Sequence, residues 1–188
     1  MTLAFRRIRN AIRPKVNVYK MPAGIHADWN VPVKVRDGTT LRVNVFRPEG
    51  GLPAPVIMSA HPYGKDKIPA RTRSGRGLNL QSRLFPQPHP IESAEWTSWE
   101  APDPVVWAPQ GYAVVNVDLR GGGTSEGIGD LFSDQEALDY YDVIEWAGTQ
   151  SWSSGRIGLN GVSYLAISEY KVAVLHPPHL AAICPWEG

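Results

Sequence analysis

The sequence predicts an α/β fold organised on a mostly parallel sheet with an antiparallel hairpin on its N-terminal side, and three observations carry that prediction. Val56 to Ala60 and Tyr112 to Val117 are apolar runs of the kind found in strands buried on both faces of a parallel sheet. Val31 to Val35 and Leu41 to Phe46 instead alternate apolar with polar residues on either side of Asp37-Gly38, which is a hairpin pattern with one wetted face. Stretches with helical spacing separate the later strands, as crossover connections between parallel strands require.

At 188 residues the chain is in the size range of one domain and buries roughly 70% of its unfolded surface. Nineteen Lys and Arg against eighteen Asp and Glu give a formal charge of +1, which favours neither nucleic acid nor an acidic partner and suits small, weakly charged substrates. Cys184 is the single cysteine, so an intrachain disulfide and a multi-cysteine metal site are both excluded. No stretch approaches the ~18 continuous apolar residues that span a bilayer. The opening residues carry Arg6, Arg7, Arg9 and Arg13 among Leu3, Phe5, Ile8 and Ile12 without a secretory apolar core or cleavage site. They read as a short basic helix or frayed arm over residues 1–30, with a membrane-surface or transit segment as the alternative. A soluble, cytoplasmic chain with no cofactor, no metal, no nucleic acid and no membrane partner is expected.

Pro48 to Pro55 is a Gly/Pro connector into the Val56 strand. Residues 62–104 then turn rich in Pro, Arg and Ser with Trp96 and Trp99 embedded, and read as a long functional loop or a disordered insertion. Val105 to Ala108 fits a short helix stopped at Gly111. Ser133-Asp134-Gln135-Glu136 has capping-box spacing, in which hydroxyl and carboxylate satisfy each other's backbone amides. Ala137, Tyr140, Tyr141, Ile144 and Ala147 continue that helix to a stop at Gly148. A strand at 156–160, a helix through Val174 and a strand at 181–184 complete the order.

Gly161-Val162-Ser163-Tyr164-Leu165-Ala166 lies between a strand and a helix, the context of a serine nucleophile on a sharp turn. Helix N-terminal amides there face developing negative charge, so the Tyr164 amide is the natural first oxyanion donor. A second donor is expected from the loop after the Val56 strand, His61-Pro62-Tyr63-Gly64-Lys65, where Tyr63 offers a phenolic hydroxyl or simply packs over the sheet edge. Asp118-Leu119-Arg120-Gly121-Gly122-Gly123-Thr124-Ser125-Glu126-Gly127 has the look of a dinucleotide loop. Its spacing fails, because Glu126 falls where the third glycine belongs, and a structural loop beside the turn is the better reading.

Taken together, Val33 to Pro48, "HPYGKD", "GYAVVNVDLRGGGTSEG", "WSSGRIGLNGVSYLA" and "HPPHLAAICPWEG" resemble the cocaine-esterase-like and X-Pro dipeptidyl-peptidase-like serine hydrolases, which also include the α-amino-acid ester hydrolases. The resemblance covers most of the chain from about Val31 onward, with the Arg-rich loop and the N-terminal arm outside it. It implies an α/β-hydrolase-type sheet, truncated after about the sixth strand, with residues 31–188 as the N-terminal part of the catalytic domain. It further implies Ser163 as nucleophile, Tyr63 as the side-chain oxyanion donor and Tyr164 as the backbone donor, acting on a small ester or peptide-like substrate. Family members usually carry glycine where Ala166 stands.

In that family the orienting aspartate and base histidine follow the nucleophile, beyond a helical cap. Between Ser163 and Gly188 the histidines and acids are His176, His179, Glu169 and Glu187. A helix from Tyr164 to about Leu175 carries His176 roughly 18 Å away at ~1.5 Å per residue, which is too far for a base. His61 occupies a strand-end position and not a catalytic one. The expectation is therefore a serine-hydrolase fragment that lacks the triad Asp and His and is inactive or nearly so in isolation. The alternative is a non-catalytic α/β piece serving binding or assembly.

Overall fold

The computed structural model describes residues 2–12, 16–67 and 88–188. The elements run α1 (Leu3–Ile12), β1 (Val16–Tyr19), β2 (Ile25–Lys34), β3 (Thr40–Pro48), β4 (Ala54–His61), β5 (Ile91–Ala94), α2 (Pro104–Trp107) with a 3₁₀ turn at Ala108–Gln110, β6 (Ala113–Asp118), α3 (Asp134–Gly148), β7 (Ser153–Val162), α4 (Tyr164–Ala173) and β8 (Leu180–Trp186). Six strands form the main sheet in the order β2-β3-β6-β4-β7-β8. The β2-β3 and β3-β6 pairs are antiparallel, and the remaining pairs are parallel. This is the mostly parallel α/β sheet with an antiparallel hairpin that the residue pattern predicts.

Strand period places Val43, Val45, Val56, Met58, Val115, Ile157 and Leu159 in one buried cluster with Tyr140, Ile144, Leu165 and Val172 of α3 and α4. The opposite face holds Phe46, Ile57 and Val114, which share register positions and are also buried. Phe46 stacks on Trp96 at 5.4 Å and meets Trp29 edge-on at 5.2 Å. Further along that face lie buried polar residues: Ser59 donates to the Asn116 side-chain oxygen at 3.1 Å, and its hydroxyl lies 3.2 Å from His61 Nε2.

Several local readings are refined. β2 starts at Ile25, inside the stretch read as an arm, and β1 pairs in parallel with β5 from the stretch read as a long loop. A pairing between segments so distant in sequence leaves no local signature. The Arg-rich part of that loop lies outside the described residues. The capping box is half formed, because Ser133 Oγ accepts from the Glu136 amide at 3.1 Å while the Glu136 carboxylate accepts the Tyr164 hydroxyl at 2.6 Å. Gly148 does end the helix region, yet its lack of a side chain serves packing: a Cβ there would stand 2.2 Å from His179 Cγ.

Candidate active site

β7 ends at Val162 and α4 begins at Tyr164, so Ser163 alone makes the turn between them. Its backbone takes φ 59° and ψ −118°, a conformation an L-residue adopts only at a cost of about 1–3 kcal/mol. Three hydrogen bonds hold it there. The Val162 amide donates to the Glu100 carbonyl at 3.2 Å, the Ser163 amide to the Trp186 carbonyl at 2.9 Å, and the Ile167 amide to the Ser163 carbonyl at 3.1 Å. Gly161 is needed just before it, since a Cβ at that position would lie 2.3 Å from Leu165 Cβ. The Ser163 side chain is exposed and makes no capping bond with the helix, so its hydroxyl stands free above the sheet edge.

Behind the serine, α4 packs Leu165, Ala166 and Val172 into the interior. Ala166 packs closely against Gly188: a Cβ on Gly188 would lie 2.8 Å from the Ala166 methyl. The Tyr164 amide is the first of the helix and has no intrahelical acceptor, leaving it available in front of the serine. Its phenol turns away into the protein, donating to Glu136 while accepting from the Phe132 amide at 3.3 Å. Burial, followed by the Glu136 interaction, raises the proton affinity of that phenol.

Tyr63 follows β4 and sets its ring against that of Tyr164, 6.4 Å between centroids. Ser163, Tyr164 and Tyr63 are therefore brought to one end of the sheet. The Tyr63 loop is fastened through Lys65, whose side chain is fully buried and donates to Asn30 Oδ1 at 2.7 Å and to Asp66, Asp118 and Thr124 at 3.0 Å each. The Lys65 and Thr124 amides also donate to Asp118, at 2.6 and 2.8 Å. The glycine loop thus turns its backbone onto Asp118. A Cβ on Gly123 would lie 2.2 Å from that carboxylate, which leaves no cradle for a phosphate.

Glu100 is the site residue that sequence reasoning missed. Its backbone has φ 61°, its carbonyl holds the strand end beside the serine, and its carboxyl meets the Tyr63 hydroxyl. Burial raises the carboxyl's proton affinity against the opposing bonds from Trp99 and Tyr63, and Oε2 is buried without a partner. An acid directly after the Trp96 to Trp99 stretch was the one available signal.

All five histidines lie in described residues, and none reaches Ser163 Oγ by a hydrogen bond. His26 pairs with Asp28, and His179 with Glu145, both at 2.8 Å. His176 follows the far end of α4, about 15 Å of helix away. His61 is completely buried on the Ser59 and Asn116 face, and burial pushes its pKa down to about 4. Among the described residues, no group of three or more His, Cys, Asp or Glu side chains is placed to hold a metal ion, and no helix is long and apolar enough to cross a membrane.

Residues 37–188 match the family model described as X-Pro dipeptidyl-peptidase (S15 family). The cocaine esterase of Rhodococcus sp. (strain MB1 Bresler) is 33% identical over 156 residues, covering 83% of this chain and 22% of that protein. The crystal structure of a CocE/NonD family hydrolase from Staphylococcus aureus is 40% identical with a TM-score of 0.74, covering 92% of this chain and 33% of that one. An α-amino-acid ester hydrolase structure, at 21% identity and a TM-score of 0.57, shares the fold. The chain spans about a fifth to a third of the length of these relatives. With its strand-turn-helix at Ser163 inside the matched region, the chain belongs to the X-Pro dipeptidyl-peptidase (S15) family.

Proposed function

We propose that this chain carries the nucleophile and the oxyanion-binding half of an acyl-transfer site that hydrolyses small esters or amides. The carrying observation is Ser163 itself: an exposed, uncapped serine in a costly backbone conformation at a strand-to-helix turn. Ser163 Oγ attacks the substrate carbonyl carbon while its proton passes to a base. The resulting oxyanion accepts from the Tyr164 amide and the Tyr63 hydroxyl, each such donor being worth about 3–4 kcal/mol in the transition state. The proton then goes to the departing alcohol or amine, and water releases the acyl group from Ser163. Family membership and hydrolase relatives support this reading.

In this proposal the base is none of His26, His61, His176 and His179, because the first and last are paired with acids, His61 is buried and His176 follows the far end of α4. Hydrolysis of an activated ester by the purified chain tests that part. Turnover is expected close to that of Ser163→Ala. Robust turnover that Ser163→Ala abolishes contradicts the missing base.

A further inference from the structure

The helix α1 carries its described apolar side chains in the open. Amphipathic helices of globular proteins turn their apolar stripe inward and their charges outward. Among the side chains described in α1, the buried one is Asn10, 4% exposed, whereas Phe5 and Ile8 are 56% and 60% exposed. At about 100° per residue, Phe5 and Ile8 lie about 140° and 160° around the helix from Asn10, so these two apolar side chains stand in the open on the side opposite the buried one. Ala4 shares that exposed side. Leu3, on the Asn10 side, stands at the helix start and is exposed as well. Arg7 and Arg9 stand about 100° to either side of Ile8, at the two margins of the stripe, and Arg6 sits behind it.

Charge is partitioned in the same sense. From Met1 to Ala27 the chain holds six cations, Arg6, Arg7, Arg9, Arg13, Lys15 and Lys20, and no acid; the first acid is Asp28. The rest of the chain holds 13 cations against 18 acids, a net of −5. A near-neutral total therefore conceals a strongly basic arm on an acidic body.

We propose that α1 is an interfacial helix that seats on an anionic lipid surface, with Phe5 and Ile8 entering the acyl boundary and Arg7 and Arg9 meeting lipid phosphates. An apolar stripe flanked by arginines is the arrangement that lies in a bilayer interface, buried by about 5–10 Å. Long arginine stems follow the stripe inward while their heads remain at the phosphates. The acidic body is repelled from the same surface, which orients the molecule with the arm down. This departs from the sequence-based expectation of no membrane partner, because composition could not reveal which side of the helix faces out. The competing occupant is a second copy, whose α3–α4 groove is lined by Leu138, Tyr170, Val174 and Leu175. That groove is the weaker match, because it offers the arginines Asp134 but sets Lys171 beside it.

The test is flotation of the whole chain with vesicles of phosphatidylglycerol or of phosphatidylcholine. Binding to phosphatidylglycerol alone is expected, weakening as salt is raised. Each of Arg7→Gln and Arg9→Gln is expected to lower binding about fivefold. Phe5→Ser with Ile8→Ser is expected to lower it at least about tenfold with an unchanged urea midpoint, since both side chains are exposed. Absence of binding, equal binding to both lipids, or binding indifferent to Phe5→Ser/Ile8→Ser overturns the proposal. A dimer that the same pair dissolves, without vesicle binding, overturns it in favour of the second copy.

Discussion

At the scale of single residues, the backbone of Ser163 is the most consequential feature, because its conformation is one that only glycine adopts freely. Replacement by alanine keeps the Cβ and its strain, while replacement by glycine removes both. Ser163→Gly is therefore expected to be more stable than Ser163→Ala by about 1–2 kcal/mol in urea unfolding, net of the extra chain entropy of glycine. Glu169 offers a second test. It is buried on α4, accepts from the Cys184 amide at 3.0 Å and leaves Oε1 without a partner near the buried Tyr140 hydroxyl. Burial raises its pKa to about 7. The folded state therefore binds this proton more tightly than the unfolded one, so stability is full below about pH 4.5 and is lost as pH rises through about 7. Urea midpoints across that window are expected to fall more steeply for the native chain than for Glu169→Gln. The turn at Ser163 was legible because the strand-turn-helix pattern around it is local. Glu100 was not, because its place depends on a positive φ and on contact with the end of β7, far along the chain.

At the scale of elements, two polar clamps set the loops around the site. The Lys65 ammonium joins the Tyr63 loop to β6 and to the glycine loop through Asp118. Arg120 extends from the glycine loop to Asp139 of α3 at 2.7 Å and to Asp37 in the hairpin turn at 2.8 Å. Breaking a buried pair from one side leaves an uncompensated charge, so Lys65→Met is expected to cost about 3–5 kcal/mol in urea unfolding. The central strands and the two long helices could be read because apolar runs and helical spacing are local signals. The parallel β1-β5 pair could not, and neither could the exchange in which Glu136 abandons its capping role for the Tyr164 hydroxyl. Both are decided by partners far away in sequence.

At the scale of the whole molecule, the sheet brings a strained serine, the first amide of α4 and a phenol to one end. Family motifs distributed from Asp37 to Gly188 made the fold class recoverable from the residues. Charge behaved differently: the total of +1 described neither the basic arm nor the acidic body. The central claim is that Ser163 is a nucleophile with its oxyanion donors in place and its base elsewhere. Fluorophosphonate labelling of the whole chain, with and without added imidazole and with the adduct mapped by mass spectrometry, tests it most directly. The account predicts slow labelling confined to Ser163, accelerated by imidazole acting in place of the missing base and reduced by about 10²-fold or more in Tyr63→Phe. Labelling at another residue, or none at Ser163 even with imidazole, would contradict it.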